Sequence, residues 1–203
     1  MKVPPALLLC LPQFKDGKPL ERSAETLAFL DAHRAELARY GIEVVVHPCH
    51  GDWDNYNGWL KVWWEPKTLL HLDHDNVPTV DMLLKLQRCA WPACTQVYRW
   101  AKVNGDGDSA IVDTPVYEDV PGEMYVAVDW HRDGPIPQWC DRTGFGLIKL
   151  DFQTRIRHPL PPMAVTYVGF DSLYSGMVKL REPCFKWHVH RLEGPDPYMV
   201  HNH

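Results

Sequence analysis

The chain has 203 residues, 45% of them hydrophobic and 23% charged, which is the balance of a folded globular protein rather than a disordered one. Its formal net charge of −5 counts against general nucleic-acid binding, which normally requires a basic surface. The apolar run Ala6–Leu11 is too short to cross a bilayer and lacks the basic flank and cleavage site of a signal peptide. We therefore expect a single cytoplasmic domain over residues 1–203, without a transmembrane segment.

The first 46 residues are typical of a strand–helix–strand unit. Val3–Leu11 is an apolar stretch between prolines, which predicts a buried strand. Leucines and alanines at helical spacing predict a helix over Glu21–Tyr40, with Gly41 as its natural stop. Ile42–Val46 follows directly as a second buried strand. This order favours a parallel α/β sheet.

The next part of the chain repeats the alternation of strand and helix. Cys49–Asn57 is polar and predicts a loop, and Tyr56–Glu65 predicts a short helix that ends before a proline. Thr68–Leu72 is the third predicted strand. Val80–Cys89 is the next predicted helix, with an acidic residue in its first turn.

The pattern is weaker in the second half of the chain. The predicted elements there are strands at Gln96–Val103, Met124–Trp130, Leu147–Leu150 and Phe185–Leu192, a turn at Asn104–Ser109, a loop at Arg157–Met163 and a helix at Asp171–Arg181. Taken together, the elements predict an α/β fold with a mostly parallel central sheet flanked by helices.

Two acids, Asp73 and Asp75, directly follow the third predicted strand and are separated by one residue. Open α/β sheets bind ligands outside the carboxyl ends of their strands, so this pair would lie in a ligand crevice. Carboxylates beside a phosphate group suit Mg²⁺ or Mn²⁺. The alternative is a solvated turn in which Asp73 only caps the next helix.

The segment His71–Pro78 resembles the strand-end D-x-D motif of nucleotide-sugar glycosyltransferases of the GT-A fold, close to the family-2-like proteins. A second segment, Thr143–Lys149, is similar to the glycine-containing segment on the acceptor side of such enzymes. The resemblance implies a Rossmann-related nucleotide-binding half over about residues 1–90 and an acceptor-side half over about residues 91–203.

The resemblance also implies roles for particular residues. Asp73 and Asp75 would hold Mn²⁺ or Mg²⁺ and, through it, the diphosphate of a nucleotide-sugar donor. The glycines of Gly144-Phe145-Gly146 would allow the backbone to approach a sugar closely, although a glycine bulge in a strand would look the same.

An inverting transfer, which we favour, needs a general base to take the proton of the acceptor hydroxyl. Asp171 is the first candidate, because its position ahead of a predicted helix matches the acidic motif of the family. Asp141, shortly before the Gly144 segment, is the second candidate. Either acid could instead be a helix cap or a turn residue.

His188 and His190 are two residues apart on a predicted strand and so share one face. In related transferases a late histidine often completes the metal site, and these two positions could match it. Strand-surface histidines and a zinc site built from imidazoles remain open alternatives. His201 and His203 repeat the same spacing in the tail.

The loop after the second strand is a candidate for contacts with the base and ribose of a nucleotide. Asp52 or Asp54 could accept hydrogen bonds from ribose hydroxyls. The nearby tryptophans Trp59 and Trp63 are spaced to pack on one helix face, which leaves Trp53 or Trp64 for stacking on a ligand.

The six cysteines lie at positions 10, 49, 89, 94, 140 and 184 and form no C-x-x-C pair. This pattern favours reduced, mostly buried thiols. Cys89 and Cys94 are the only close pair, and their spacing is not that of a common zinc site.

The leading hypothesis is a metal-dependent glycosyltransferase that takes a nucleotide-diphosphate sugar as donor, with the acceptor unknown. A metallohydrolase that uses Asp73, Asp75 and the histidines around one metal is the first alternative. A non-catalytic module that binds nucleotide sugars or carbohydrates is the second.

Overall fold

The computed structural model describes residues 3–97, 100–103, 109–112, 116–118, 126–127, 138–161, 170–190 and 200–201. The helices are α1 (Glu21–Arg39), α2 (Asp52–Trp63), α3 (Val80–Arg88), α4 (Phe152–Arg157) and α5 (Phe170–Arg181). The strands are β1 (Ala6–Cys10), β2 (Phe14–Lys15), β3 (Lys18–Pro19), β4 (Ile42–Val46), β5 (Thr68–Leu72), β6 (Asn76–Val77), β7 (Ala93–Gln96), β8 (Trp100–Val103), β9 (Ser109–Val112), β10 (Val116–Glu118), β11 (Val126–Ala127), β12 (Trp139–Cys140), β13 (Arg142–Thr143), β14 (Leu147–Leu150), β15 (Trp187–His190) and β16 (Val200–His201).

A seven-stranded sheet forms the centre of the fold, in the order β12-β15-β7-β14-β5-β1-β4. Strands β4, β1, β5, β7 and β15 run in one direction, while β14 and β12 run against them. The sheet is therefore mixed and mostly parallel, and it takes strands from both halves of the chain. The expected α/β class with a helix-flanked, mostly parallel sheet is confirmed.

Helices cover both faces of this sheet, which explains the unbroken apolar sequences of its central strands. Every residue of β1, β5, β7 and β14 is buried. Leu30 of α1 and Leu83 of α3 pack into the core on one face. Trp63 of α2 and Tyr174 of α5 pack into the core on the other. Each such side chain contributes about 1.5–3 kcal/mol through its removal from water.

Helix α2 begins four residues before the predicted start at Tyr56, so most of the expected polar loop over Cys49–Asn57 forms its first turns. The end of α2 is fixed by Arg155, a fully buried residue of α4. Its guanidinium group donates to four backbone carbonyls, those of Val62, Trp63, Glu65 and Lys67. Burial lowers the pKa of Arg155 to about 10.

The second half of the chain agrees with the sequence in part: helix α4 was not predicted, and most of the strand predicted at Met124–Trp130 and the end of the loop predicted at Arg157–Met163 lie outside the described residues. Helix α5 and strand β15 lie where a helix and a last strand were predicted. The predicted strand at Gln96–Val103 is divided between β7 and β8, and β8 pairs with β9 in an antiparallel ladder. Most of the turn predicted at Asn104–Ser109 lies outside the described residues. Among the described residues, no helix is long and apolar enough to cross a membrane.

Candidate functional site

The two acids of the D-x-D segment lie in a tight loop between β5 and β6, here called the acid loop (residues 73–76). A carboxylate oxygen of Asp73 accepts from the backbone N–H of His74 at 2.8 Å, and Asp75 accepts from the side-chain amide of Asn76 at 3.1 Å. Ligand atoms of Asp73, His74 and Asp75 all lie within 4.8 Å of one another. The loop therefore gathers two carboxylates at one point.

The acid loop follows the carboxyl end of β5, beside the carboxyl end of β1. Strands β1 and β5 are parallel neighbours, with Cys10 opposite Leu72 at their carboxyl ends. From those ends the chain leaves in opposite directions, from β1 through α1 to β4 and from β5 through α3 to β7. The connections therefore diverge between β1 and β5, although α1 and α3 pack on the same face of the sheet and Asp75 and Asn76 are buried.

Two buried polar residues of α1 form hydrogen bonds with the acid loop. The Ser23 hydroxyl is hydrogen-bonded to Nδ1 of His74 at 3.0 Å, and the Thr26 hydroxyl donates to the carbonyl of Asn76 at 3.0 Å. Burial lowers the pKa of His74, which favours the neutral ring. Sequence reasoning missed both contacts, although a buried serine and threonine on the core face of a helix are a usable signal.

The glycine segment and the acid loop meet, although they are about 70 residues apart in the chain. The backbone N–H of Asp73 donates to the carbonyl of Gly146 at 2.8 Å. Gly144 and Gly146 are buried beside the loop. The ring of Phe145 is 4% exposed and packs against Trp59 and Trp187, so this side chain belongs to the core.

A cleft of about 140 Å³ lies at the carboxyl ends of β1 and β4. It is lined by Gln13, Phe14, Cys49, His50, Gly51 and Asn55. Asp54 accepts from the backbone N–H of His50 at 2.9 Å and so fixes one wall of the cleft. Asp52 is the first residue of α2, and its side chain lies outside the described part of the structure.

The tryptophans of α2 divide as the spacing predicts. Trp59 and Trp63 are buried, with their rings edge to face at 5.8 Å. Trp53 and Trp64 are exposed on the outer surface of the helix.

The two candidate bases lie in different surroundings. Asp141 is 6% exposed and is bound by Lys179, and by Lys186 at 2.8 Å. Asp171 is the second residue of α5, and its side chain lies outside the described part. One turn later, the Ser175 hydroxyl donates to the carbonyl of Thr143 at 2.9 Å, which joins the start of α5 to the glycine segment.

His188 and His190 lie away from the acid loop. Register along the sheet sets His190 level with Gln96 of β7, while β14 and β7 lie between β15 and β5. Neighbouring strands are about 4.8 Å apart, so β15 is about 14 Å from β5. The structure therefore does not bring these histidines together with Asp73 and Asp75.

The two histidines form instead a group with Cys89 and Cys94, here called the Cys–His cluster. Burial lowers the pKa of His188. A hydrogen bond from the Cys94 thiol lowers the pKa of Cys89 to about 3, and the same contact raises that of Cys94. All six cysteines of the chain are free thiols, and most are buried, as the sequence predicts.

The strand that contains a different late histidine, His201, pairs with β6 beside the acid loop. Strand β16 pairs with β6 in an antiparallel ladder that sets His201 opposite Asn76. The sequence showed His201 only as part of a repeated spacing, because nothing local predicts that the tail returns to this loop. The side chain of His201 lies outside the described part.

The donor set of the acid loop fits a hard divalent cation. Two carboxylates supply oxygen ligands, and the buried amide oxygen of Asn76 has no hydrogen-bond donor among the described residues. Oxygen donors of this kind suit Mg²⁺ and Mn²⁺. No protein-family model matches the chain, and no curated protein is significantly similar to it.

Proposed function

We propose that this protein is a metal-dependent glycosyltransferase that moves a sugar from a nucleotide-diphosphate sugar to an acceptor hydroxyl. The observation that carries the proposal is the acid loop at the carboxyl end of β5, which is bonded to the glycine segment and linked through Ser23 to Gln13 in the wall of the cleft. In this proposal the cleft would hold part of the donor, the acid loop would hold the cation, and the glycine segment would face the acceptor.

The cleft would take the base and ribose of the donor. At about 140 Å³ it is too small for a whole nucleotide sugar, so the diphosphate would extend towards the acid loop. The start of α2 at Asp52 adds backbone N–H groups that favour an anion. Asp52 remains the candidate for the ribose hydroxyls, while Asp54 already accepts from His50.

Asp73 and Asp75 would hold the Mn²⁺ or Mg²⁺ ion. A divalent cation offsets the charge that builds on a nucleoside diphosphate as it leaves the sugar. The chain contributes the geometry, since Ser23 and Thr26 fix the loop from α1 and Gly146 fixes Asp73 from the other side. His201 replaces His188 and His190 as the late histidine closest to this loop in register.

Asp171 would be the general base. It lies one helical turn before Ser175, which is bonded to the strand that leads into Gly144. Asp141 fits a base less well, because two lysines already bind its carboxylate. An inverting transfer through Asp171 would take the acceptor proton on the side of the sugar away from the diphosphate.

The metallohydrolase alternative required the acids and His188 and His190 around one metal. Because β15 lies about 14 Å from β5, His188 and His190 would not share a metal with the two acids, and we favour the transferase. A binding module without catalysis would share the cleft and the acid loop, and it differs only in turnover.

The Asp75→Asn variant tests the proposal. We expect nucleoside diphosphates with Mn²⁺ to raise the melting temperature of the natural protein, because a ligand that binds only the folded state stabilises it. Asp75→Asn should fold normally and lose this rise. Asp81→Asn, at an exposed acid on α3 that pairs with Lys85, is the matched control. Binding of Mn²⁺ and diphosphate by Asp75→Asn at the natural strength would refute the role of the acid loop.

A further inference from the structure

The Cys–His cluster gathers four metal-binding side chains from two distant parts of the chain. The sulfur of Cys89 lies 2.8 Å from that of Cys94 and 3.6 Å from Nδ1 of His188. Nδ1 of His188 lies 3.2 Å from Nε2 of His190. The four ligand atoms all lie within 4.8 Å of one another.

The sheet itself brings these residues together. Cys94 on β7 is directly opposite His188 on β15, because these strands are parallel neighbours. His190 is two residues further along β15 and so shares the face of His188. Cys89 is the residue at which α3 ends, just before the chain turns into β7.

We propose that Cys89, Cys94, His188 and His190 bind one zinc ion that stabilises the fold. Bonds of about 2.3 Å to sulfur and 2.0–2.1 Å to nitrogen give a tetrahedron with edges of about 3.3–3.8 Å. The sulfur–nitrogen and nitrogen–nitrogen distances of 3.6 and 3.2 Å match such edges. The sulfur pair is closer than this, and we expect a bound ion to open it.

The chemistry of the donors selects the metal. Two thiolates and two imidazoles form a soft donor set that suits zinc, whereas Mg²⁺ and Mn²⁺ prefer oxygen. With all four positions filled by protein ligands, the ion has no open position for water or substrate. Closed sites of this kind are structural, and the ion here would tie the end of α3 to β7 and β15.

Neighbouring residues support a fixed site. The ammonium group of the buried Lys149 donates to the carbonyls of Cys89 and Trp91, at 2.5 and 2.8 Å, and so holds the turn between the two cysteines. The ring of Trp139 packs against that of His188, with centroids 5.0 Å apart. Supporting contacts of this kind orient metal ligands and limit access of water.

The test measures metal content of the full chain after purification and after exchange with Zn²⁺ or Co²⁺. We expect about one zinc per chain, as in other four-ligand sites. The cobalt form should show strong visible absorption of a tetrahedral ion together with thiolate-to-cobalt charge transfer. Removal of zinc by a strong chelator should lower the melting temperature by roughly 5–15 °C.

Single variants distinguish the proposed zinc ligands from cysteines outside the cluster. Cys89→Ser and His190→Gln should each lose zinc and the cobalt spectrum, and should melt as the chelated protein does. Cys184→Ser, at an exposed cysteine, should keep both properties and is the matched control. If a ligand variant does not fold, the cobalt spectrum of the natural protein still shows whether thiolates bind the metal.

Three outcomes would overturn the proposal. The first is natural protein that takes up no zinc, and the second is a cobalt spectrum without thiolate charge transfer. The third is a Cys89–Cys94 disulfide that forms readily and excludes zinc, which would make the pair a redox site. Asp75→Asn should keep its zinc, because the acid loop is a separate site. The zinc proposal can therefore fail while the proposed transferase function stands, and the reverse also holds.

Discussion

The acid loop and the Cys–His cluster are both groups of metal-binding side chains, yet they differ in donors, position and expected role. The acid loop offers oxygen atoms at the carboxyl ends of the strands, where ligands enter an open sheet. The Cys–His cluster offers sulfur and nitrogen atoms and spans α3, β7 and β15.

Donor chemistry and position together assign different roles to the two sites: the acid loop is proposed to act in catalysis, and the Cys–His cluster is proposed to stabilise the fold. Oxygen donors hold Mg²⁺ or Mn²⁺ together with substrate phosphates, which suits catalysis. A closed site of sulfur and nitrogen leaves no such room, which suits a structural ion. Changes at the acid loop should therefore alter activity, and changes at the Cys–His cluster should alter melting.

The largest expected effect comes from the proposed base. Asp171→Asn should lower sugar transfer by about two to four orders of magnitude, the usual contribution of a positioned general base. Binding of Mn²⁺ and nucleoside diphosphate should change little, since the proposal assigns Asp171 to the acceptor rather than to the donor. Initial rates of transfer and thermal melts of the same preparation provide the measurement.

The control for this prediction is Asp141→Asn, because this acid is buried between two lysines. Loss of its charge should cost about 2–3 kcal/mol of folding stability, below the range for fully buried pairs because Lys186 is half exposed. Transfer per folded molecule should persist. The reverse result, with activity lost only in Asp141→Asn, would move the base to Asp141. Activity in both variants would point to a retaining enzyme, whereas natural protein that binds nucleotide sugars but transfers no sugar would be a binding module.

The two sites differ in how much of them the sequence predicts. The acid loop is contiguous, so a strand pattern followed by Asp73 and Asp75 predicted its place at the sheet edge. The Cys–His cluster joins residues almost 100 positions apart. Its spacing matches no common zinc motif, and only the pairing of β7 with β15 brings the histidines to the cysteines.

The same contrast holds for the fold. Strands β1, β4 and β5 and the helices between them were predicted from local apolar patterns, because each pattern acts within its own element. The early start of α2 and its buried partner Arg155 were missed. An arginine that donates to four carbonyls in a distant turn leaves no local pattern. The contact between Asp73 and Gly146 likewise depends on the antiparallel insertion of β14 beside β5.

An intermediate effect is expected on the rates at which the cysteines react with a thiol reagent. These rates compare the cysteines of the Cys–His cluster with the others. In the native protein, the exposed Cys184 should react rapidly with a thiol reagent, and the buried Cys10 should not. Cys89 is half-buried, so its protection would come from zinc and should disappear after chelation. Mass spectrometry of the labelled peptides gives the measurement.

Two results would contradict this prediction. Rapid labelling of Cys89 before chelation would show that no ion protects it. After denaturation without a reductant, all six cysteines should react, as expected of free thiols. Cysteines that stay unlabelled under those conditions would indicate disulfides in the purified protein and would count against the expected reducing compartment.

The smallest expected effect concerns the support of the acid loop by α1. Thr26→Val keeps the shape of the buried side chain and removes the hydroxyl that donates to the carbonyl of Asn76. The loss of this hydrogen bond should cost about 1–2 kcal/mol of stability, since the carbonyl is left without its donor. It should also weaken Mn²⁺ binding a few-fold, because the loop that holds Asp75 is less fixed.

Thr26→Ser keeps the hydroxyl and should bind Mn²⁺ at nearly the natural strength. Titration of Mn²⁺ into both variants, with thermal melts, separates a lost hydrogen bond from a lost methyl group. If Thr26→Val melts earlier but binds Mn²⁺ unchanged, α1 supports only the fold, and the geometry of the acid loop is set by β5 and Gly146 alone.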